Sequence, residues 1–394
     1  MIIGVGSSKL MQLIFSFLIS IFFGHSALGI FVLILTLSIV CSSLPSLGAS
    51  PQIIRANAER NPQQTILITL LTALPILLIS IILLGIYISH FDTSVLQNRI
   101  SNVSYFTCTA TLSIGLVLYT LNQALLSFSS KHMQLGLISI IQYAGPLLLS
   151  CIYYLYASIF PDVLLVYCIS FLAISILSIS FTLYLNFQFK KNNLLLISKK
   201  EYSKSIIHFF SVSVFSFIIM LSIYLTVRYI NLHYNHEHTA IFSVAFQFFQ
   251  IGTFLPGILG SIFVPRLVIA QDNTESNQMR KTYILLSIAW FAFCLILFYP
   301  IFIIYKFEIN LINIATFWLM QFAVIFSSIQ AFYIQKNVAT GNFKILAISS
   351  TLWGGILLLL SQHIFPYQIF YASLSFILAY LTSTLLLHYY SKKV

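Results

Sequence analysis

The sequence predicts an all-α integral membrane protein with about twelve transmembrane helices in two pseudo-symmetric six-helix bundles. Of its 394 residues, 59% are hydrophobic and only 7% are charged, and the mean hydropathy is +0.97. A soluble globular domain carries roughly a quarter charged residues. The apolar residues form runs of about 20, the length that an α-helix needs to cross a hydrocarbon core about 30 Å thick. Composition therefore excludes a water-soluble enzyme.

Each predicted helix corresponds to one apolar run. The twelve runs cover approximately residues 5–24, 28–49, 65–89, 104–127, 134–157, 163–188, 206–227, 239–264, 282–305, 310–335, 345–361 and 368–390. Between the sixth and seventh lies the most basic loop, QFKKNNLLLISKKEYSKS. The sequence therefore predicts an N-terminal six-helix bundle over residues 1–188, a basic cytoplasmic connector over 189–205 and a C-terminal six-helix bundle over 206–394.

The net charge of +11 is distributed asymmetrically across the predicted membrane. With a cytoplasmic N-terminus, only three of the 19 lysines and arginines fall on the outer side, namely Arg99, Arg228 and Lys306. Positive residues collect in cytoplasmic loops, so both termini are expected in the cytoplasm. The charge is therefore a signal of membrane topology, and no nucleic-acid partner is predicted.

An internal duplication is indicated by a pattern that recurs after 211 residues. At this offset Leu44-Pro45 aligns with Leu255-Pro256, and Arg55 aligns with Arg266. Proline and arginine are rare in this chain, and duplicated bundles are typical of transporters. Proline kinks a helix and glycine allows close helix approach. The predicted hinge and packing residues are Pro45, Pro256, Gly257 and Gly260.

The five cysteines all fall within predicted spans and show no spacing typical of a metal site. They are interpreted as small core residues, with no disulfide framework. Three histidines, His233, His236 and His238, lie in one short loop without thiolates, so they are interpreted as solvated loop residues. No metal site and no catalytic residue are predicted.

Three segments carry a family resemblance. The chain opens with GSSKLMQLIFSFLISIFFGHSALGIFVLILTLSI and continues with LGASPQIIRANAE; later it contains VRYINLHYNHEHTAIFSVAFQFFQIGTFLPGILGSIFVPRL and the loop ATGNFK. These segments resemble bacterial polysaccharide (O-antigen type) flippases of the multidrug, oligosaccharidyl-lipid and polysaccharide exporter superfamily. The chain lacks the two extra helices of lipid II flippases, which argues against that subgroup.

The resemblance implies a V-shaped, MATE-like pair of bundles around a central cavity, in the bacterial inner membrane. It implies translocation of undecaprenyl-pyrophosphate-linked oligosaccharide from the cytoplasmic to the periplasmic face, without a cofactor and coupled to H⁺ or Na⁺. The implied partners are membrane lipids, a polysaccharide polymerase and a chain-length regulator. The protein is expected to be a transporter, not an enzyme.

Candidate substrate-binding residues follow from the chemistry of a sugar diphosphate. Lysine and arginine bind phosphate, and side-chain amides bind sugar hydroxyls. The candidate cations are Lys9, Arg55, Arg228 and Arg266, and the candidate amides are Gln12, Asn122, Gln123, Gln247, Gln250 and Gln330. Each has an alternative interpretation, because lysine and arginine snorkel at helix ends and amides bond to neighbouring helices.

Other classes of membrane protein stay open at this stage. An intramembrane carboxylate would favour a drug or metabolite cation antiporter of the same superfamily, and none lies well inside a predicted span. An integral-membrane polysaccharide polymerase is expected to have a long basic outer loop, and a lipid-sugar transferase is expected to have an acidic motif. Neither pattern is present. A non-transporting scaffold agrees less well with the internal duplication.

Overall fold

The computed structural model describes residues 2–55, 62–90, 99–129, 131–186, 199–234, 238–253, 273–340, 343–364 and 368–391. Within these ranges all regular secondary structure is helical. The predicted all-α architecture is therefore confirmed.

Among the described residues, six helices precede the basic connector. They are α1 (Ile2–Phe23), α2 (His25–Arg55), α3 (Pro62–Ser89), α4 (Asn102–Phe128), α5 (His132–Tyr156) and α6 (Phe160–Asn186). Gly24 joins α1 to α2 with a φ of 87°, a backbone conformation that costs little only for a residue without a Cβ. This glycine allows two consecutive helices to be joined by a single residue.

The described part of the chain after residue 198 contains six further helices, and the first of them begins at Lys199, inside the predicted connector 189–205. They are α7 (Lys199–His233), α8 (238–253), α9 (Asn273–Tyr305), α10 (Leu311–Thr340), α11 (Phe343–Leu359) and α12 (Phe370–Ser391). Helix α11 continues into a π-helical turn over Leu360–Ile364. The last 11 residues of the predicted span 239–264 lie outside the described part of the chain.

Ten of the described helices, α2 to α7 and α9 to α12, are long and apolar enough to cross a membrane. Helix α1 contributes a shorter apolar segment, Lys9–Phe23. Large apolar side chains on α3 and α9, such as Leu78 and Ile296, are well exposed, as expected for helices that face lipid. The protein is therefore a multi-pass membrane protein.

The chain divides into two compact units. Unit 1 comprises Met1–Phe15 and Leu33–Leu221, and unit 2 comprises Ser16–Val32 and Ser222–Val394. The division passes through α1, α2 and α7, so these three helices contribute to both units. The bundle limits that hydropathy places at residues 188 and 206 stay a prediction.

Helices are paired in the same order in the two units. In unit 1, α4 packs against α6, α5 against α6, α3 against α4 and α4 against α5. In unit 2, α10 packs against α12, α11 against α12, α9 against α10 and α10 against α11. Each pair recurs six helices later, in agreement with the predicted duplication.

Candidate functional site

Two predicted site residues meet on α1. Lys9 is half-buried, and its Nζ donates a hydrogen bond to Oε1 of Gln12 across 3.5 Å. The Gln12 side chain is only 6% exposed. Residues three positions apart lie on the same face of a helix, so the cation and the amide form one polar patch in unit 1.

Arg228 places a second cation inside an apolar span. It is half-buried in α7, within the membrane-length stretch Ser216–His233. Just beyond this stretch, burial and the neighbouring Tyr229 raise the pKa of the Tyr234 phenol to about 12. Tyr234 is therefore a neutral hydroxyl at physiological pH and does not neutralise a cation at this end of α7.

Several predicted residues have side chains outside the described structure. Arg55 ends α2, and only its backbone is described. The others lie in the segment 254–272 and are Pro256, Gly257, Gly260 and Arg266. Their roles stay predictions.

Asn122 is a buried amide without a hydrogen-bond partner in the described part of the chain. It lies in α4 with 0% of its surface exposed, and neither Oδ1 nor Nδ2 forms a hydrogen bond within the described structure. An amide carries donors and an acceptor at the same position. Asn122 therefore keeps its full capacity to bind a hydroxyl or a water molecule.

Gln247 has the same properties in unit 2. It lies in α8, is 4% exposed, and leaves both Oε1 and Nε2 without a partner among the described residues. Gln250 lies one turn later and is half-buried; its backbone carbonyl accepts a hydrogen bond from Thr253 Oγ1 at 3.1 Å. Helix α8 thus carries two predicted amides within one turn.

The amides of Gln123 and Gln330 link helices to one another. Nε2 of Gln123 donates to Tyr119 Oη at 2.7 Å and to Ser139 Oγ at 3.5 Å, so it connects α4 to α5. Nε2 of Gln330 donates to Ser383 Oγ and connects α10 to α12. These hydrogen bonds are those that the helix-packing interpretation expects, and a role of either amide in substrate binding stays a prediction.

An amide without a partner is costly in a membrane span. Burying a polar group without a hydrogen bond costs about 1–3 kcal/mol, and hydrocarbon offers no water in compensation. Asn122 and Gln247 therefore differ from the amides that connect helices. They are the amides best suited to meet a polar ligand.

Two further glutamines organise the bundles and were not predicted as site residues. Nε2 of Gln142 in α5 donates to the Phe171 carbonyl at 2.8 Å and to Ser175 Oγ at 2.7 Å, both in α6. Nε2 of Gln321 in α10 donates to the Ala245 carbonyl of α8 at 2.8 Å. The residue type alone gave no signal that separates these glutamines from ligand-binding ones.

Pro45 lies in a part of α2 where helix packing is unusually close. Three residues after it, a Cβ on Gly48 would lie 2.8 Å from the Phe209 ring and closer still to Ser213 Oγ. Ser213 Oγ donates to the Leu44 carbonyl at 2.9 Å, next to the proline that cannot donate a backbone hydrogen bond. The structure therefore identifies Gly48 as a packing residue between α2 and α7 that the sequence pattern missed.

Carboxylates are nearly absent from the described spans. The ten membrane-length segments contain one acidic residue, Asp162, in the first turn of α6. The described residues also include no group of three or more His, Cys, Asp or Glu side chains placed to hold a metal. The ionisable groups inside these spans are thus predominantly cationic.

The fold defined by these helices is similar to that of solved structures of multidrug resistance MATE transporters and of a lipid II flippase. An inward-facing multidrug resistance MATE family transporter of the multidrug, oligosaccharidyl-lipid and polysaccharide exporter (MOP) superfamily aligns with a TM-score of 0.68 at 13% identity, covering 98% of this chain and 94% of that chain. An outward-facing MATE structure aligns with a TM-score of 0.70 at 13% identity, covering 99% and 93%.

The lipid II flippase MurJ, in an inward closed conformation, is also similar. It aligns with a TM-score of 0.72 at 14% identity, covering 98% of this chain and 86% of the flippase. No protein-family model and no curated protein sequence matches the chain. The likeness shows the fold and confirms the predicted MATE-like architecture, whereas the O-antigen flippase subfamily stays a prediction.

Proposed function

We propose that this protein is a flippase that moves undecaprenyl-pyrophosphate-linked oligosaccharide, an O-antigen or capsule repeat unit, from the cytoplasmic to the periplasmic face of the bacterial inner membrane. The observation that carries the proposal is the polar content of the described spans. The described helices hold two buried amides without a partner among the described residues, Asn122 and Gln247, and half-buried cations that include Lys9 and Arg228. The ten membrane-length stretches contain only one carboxylate, at the start of α6.

This content suits a sugar-diphosphate head group. Such a head group cannot cross hydrocarbon alone, because each hydroxyl and each phosphate charge would lose its water. Asn122 and Gln247 offer donors and acceptors for sugar hydroxyls, while Lys9 and Arg228 offer charge to the diphosphate. The polyprenyl tail stays in lipid, so the protein needs to solvate only the head during alternating access.

The comparisons support a lipid cargo without identifying it. One similar structure is named for flipping lipid II, and others are multidrug transporters. The alternative is an antiporter for a drug or metabolite cation, which is expected to have a carboxylate within the membrane. The scarcity of carboxylates in the described spans therefore favours an anionic cargo over a cationic one.

Several properties follow from the proposal. Both termini face the cytoplasm, the two six-helix bundles joined by the basic connector alternate in access, and an H⁺ or Na⁺ gradient drives the cycle. The repeat unit then passes to a polysaccharide polymerase and a chain-length regulator in the same membrane. A flippase makes and breaks no covalent bond, so no catalytic residue is assigned.

The proposal is tested by measuring surface glycan in a host whose only copy of the gene carries one substitution. Alanine replaces, in turn, each proposed cation: Lys9, Arg55, Arg228 and Arg266. Two exposed cations outside the proposed site, Arg99 and Lys281, receive the same substitution as controls, and protein level is measured in every strain.

We expect reduced surface glycan and accumulated cytoplasmic lipid-linked oligosaccharide in the site variants, with normal amounts in the controls. Loss of one phosphate contact costs about 1.5–3 kcal/mol, which is more than a tenfold loss in affinity. Unchanged glycan in all four site variants would remove the proposed role of the cations.

A further inference from the structure

One face of α11 is uncovered and forms an apolar groove of about 590 Å³. Its floor is made by three small residues at intervals of one turn, Ala347, Thr351 and Gly355. Larger side chains border it, among them Ile348, which is 48% exposed, and Leu359, which is 52% exposed. The groove lies on the membrane-length stretch Lys344–Gln362 of α11, and its lining is almost entirely apolar, so we expect this face to meet lipid.

The one hydroxyl on the groove floor, that of Thr351, already has a hydrogen-bond partner, so the floor does not need a polar ligand. The Thr351 hydroxyl donates to the Ala347 carbonyl at 2.9 Å, so its hydrogen bond is made within the helix. A Cβ placed on Gly355 would meet no atom within 4 Å, so the protein does not use this glycine for helix contact. The space above Gly355 suits a hydrocarbon chain.

A cation lies at one end of the groove. Lys344 is exposed in the first turn of α11, and this turn contains no acidic residue. At 3.6 residues per turn, Lys344 lies within about 20° of both Thr351 and Gly355 around the helix axis. The N-terminus of a helix itself favours anions. The groove therefore has one end that attracts anions, and the rest of it is apolar.

The length of the groove matches one leaflet of a bilayer. From Lys344 to Gly355 the helix rises about 16 Å, close to half of the hydrocarbon thickness of about 30 Å. A phospholipid reaches this depth from its phosphate to the ends of its acyl chains. A polyprenyl chain is much longer than the groove.

We propose that this groove is a docking site for an anionic phospholipid of the bilayer, with its phosphate at Lys344 and one acyl chain over Gly355. Phospholipid is the bulk component of the membrane, so mass action fills the groove with it before any rare polyprenyl lipid. A second copy of the chain fits less well. A two-fold contact between parallel copies through this face would bring the two Lys344 side chains together.

The test uses the purified full-length protein and native mass spectrometry. Phosphatidylglycerol or phosphatidylcholine with the same acyl chains is titrated onto delipidated protein, and bound lipid is counted. Lys344→Gln removes the cation, and Gly355→Leu fills the groove with a side chain whose Cβ meets no protein atom within 4 Å. Lys281→Gln is the matched control, because this lysine also starts an exposed face but is followed by the bulky Leu285 rather than by small residues.

We expect one phosphatidylglycerol per chain, bound in preference to phosphatidylcholine. Lys344→Gln should reduce this preference about fivefold, as expected for one basic residue at a membrane surface. Gly355→Leu should remove the bound molecule of either lipid, while Lys281→Gln binds as the parent does. Equal binding of phosphatidylglycerol by Lys344→Gln and Lys281→Gln overturns the proposal. Displacement of the bound phosphatidylglycerol by equimolar undecaprenyl phosphate also overturns it, as does formation of a disulfide-linked dimer by Thr351→Cys.

Discussion

Replacement of Gly48 by alanine tests the close contact between α2 and α7. The added Cβ would lie 2.8 Å from the Phe209 ring and closer to Ser213 Oγ. Phe209 is fully buried, and the Ser213 hydroxyl bonds to the Leu44 and Phe209 carbonyls, each at 2.9 Å. Neither side chain can move away without losing these contacts. Overpacking of this kind costs about 1–3 kcal/mol.

The assay is thermal unfolding of the purified protein in detergent, followed by tryptophan fluorescence. A loss of 1–3 kcal/mol should lower the midpoint by roughly 2–12 °C for a cooperative unit of about 200 residues. Gly355→Ala is the control, because its Cβ would meet nothing within 4 Å. It should keep or raise the midpoint, since alanine is the better helix former by about 1 kcal/mol.

A second substitution identifies the clash. Ser213→Ala removes the hydroxyl that lies nearest to the new Cβ, so the pair Gly48→Ala and Ser213→Ala should lose less stability than the two single variants summed. A coupling of about 0.5–3 kcal/mol is expected for residues in contact. An unchanged midpoint for Gly48→Ala, or strict additivity of the pair, would refute the close packing of α2 on α7.

Three further predictions concern buried polar groups and thiols. Asn122→Leu should raise the free energy of unfolding by about 1–3 kcal/mol, because it removes an amide without a described partner, and it should lower surface glycan. Gln142→Leu loses two hydrogen bonds and should lower the free energy of unfolding. Equal changes in stability for the two variants would contradict the distinction between an unpaired amide and a packing amide. Gln321→Ala should destabilise unit 2 by about 1–3 kcal/mol in chemical denaturation, and wild-type stability would argue against its link from α10 to α8. The buried thiols of Cys108 in α4 and Cys168 in α6 are neighbours, so membrane-permeant iodine should join them in a disulfide detectable by mass spectrometry. Failure to join them while both thiols alkylate after unfolding would contradict that proximity.

Hydropathy located the helices but underestimated the length of several of them, α7 and α9 most clearly. The seventh apolar run was predicted over 206–227, whereas α7 extends from Lys199 to His233. Likewise α9 begins at Asn273 rather than at residue 282. Apolar runs report only the part of a helix that lies in hydrocarbon, while backbone hydrogen bonding continues into the polar flanks. The breaks depend instead on local conformation, such as the positive φ of Gly24.

The roles of individual amides could not be read from the sequence. Asn122 and Gln123 are neighbours, yet successive residues point about 100° apart around a helix. Gln123 therefore reaches Tyr119 and Ser139, while the Asn122 amide has no hydrogen-bond partner among the described residues. A polar residue in a span was recognisable as unusual, but only the positions of the adjacent helices separate a packing amide from one available to a ligand.

Flipping by the purified protein tests the central claim most directly. Proteoliposomes are prepared with undecaprenyl-pyrophosphate oligosaccharide from the host, and an added glycosidase reports the fraction of sugar exposed outside. With an imposed H⁺ or Na⁺ gradient, we expect active protein to expose the inner pool to the enzyme, and Asn122→Leu or Gln247→Leu to slow this exposure. If the inner pool stays protected while the same vesicles exchange a cationic drug across the membrane, the protein is an antiporter and the account is contradicted.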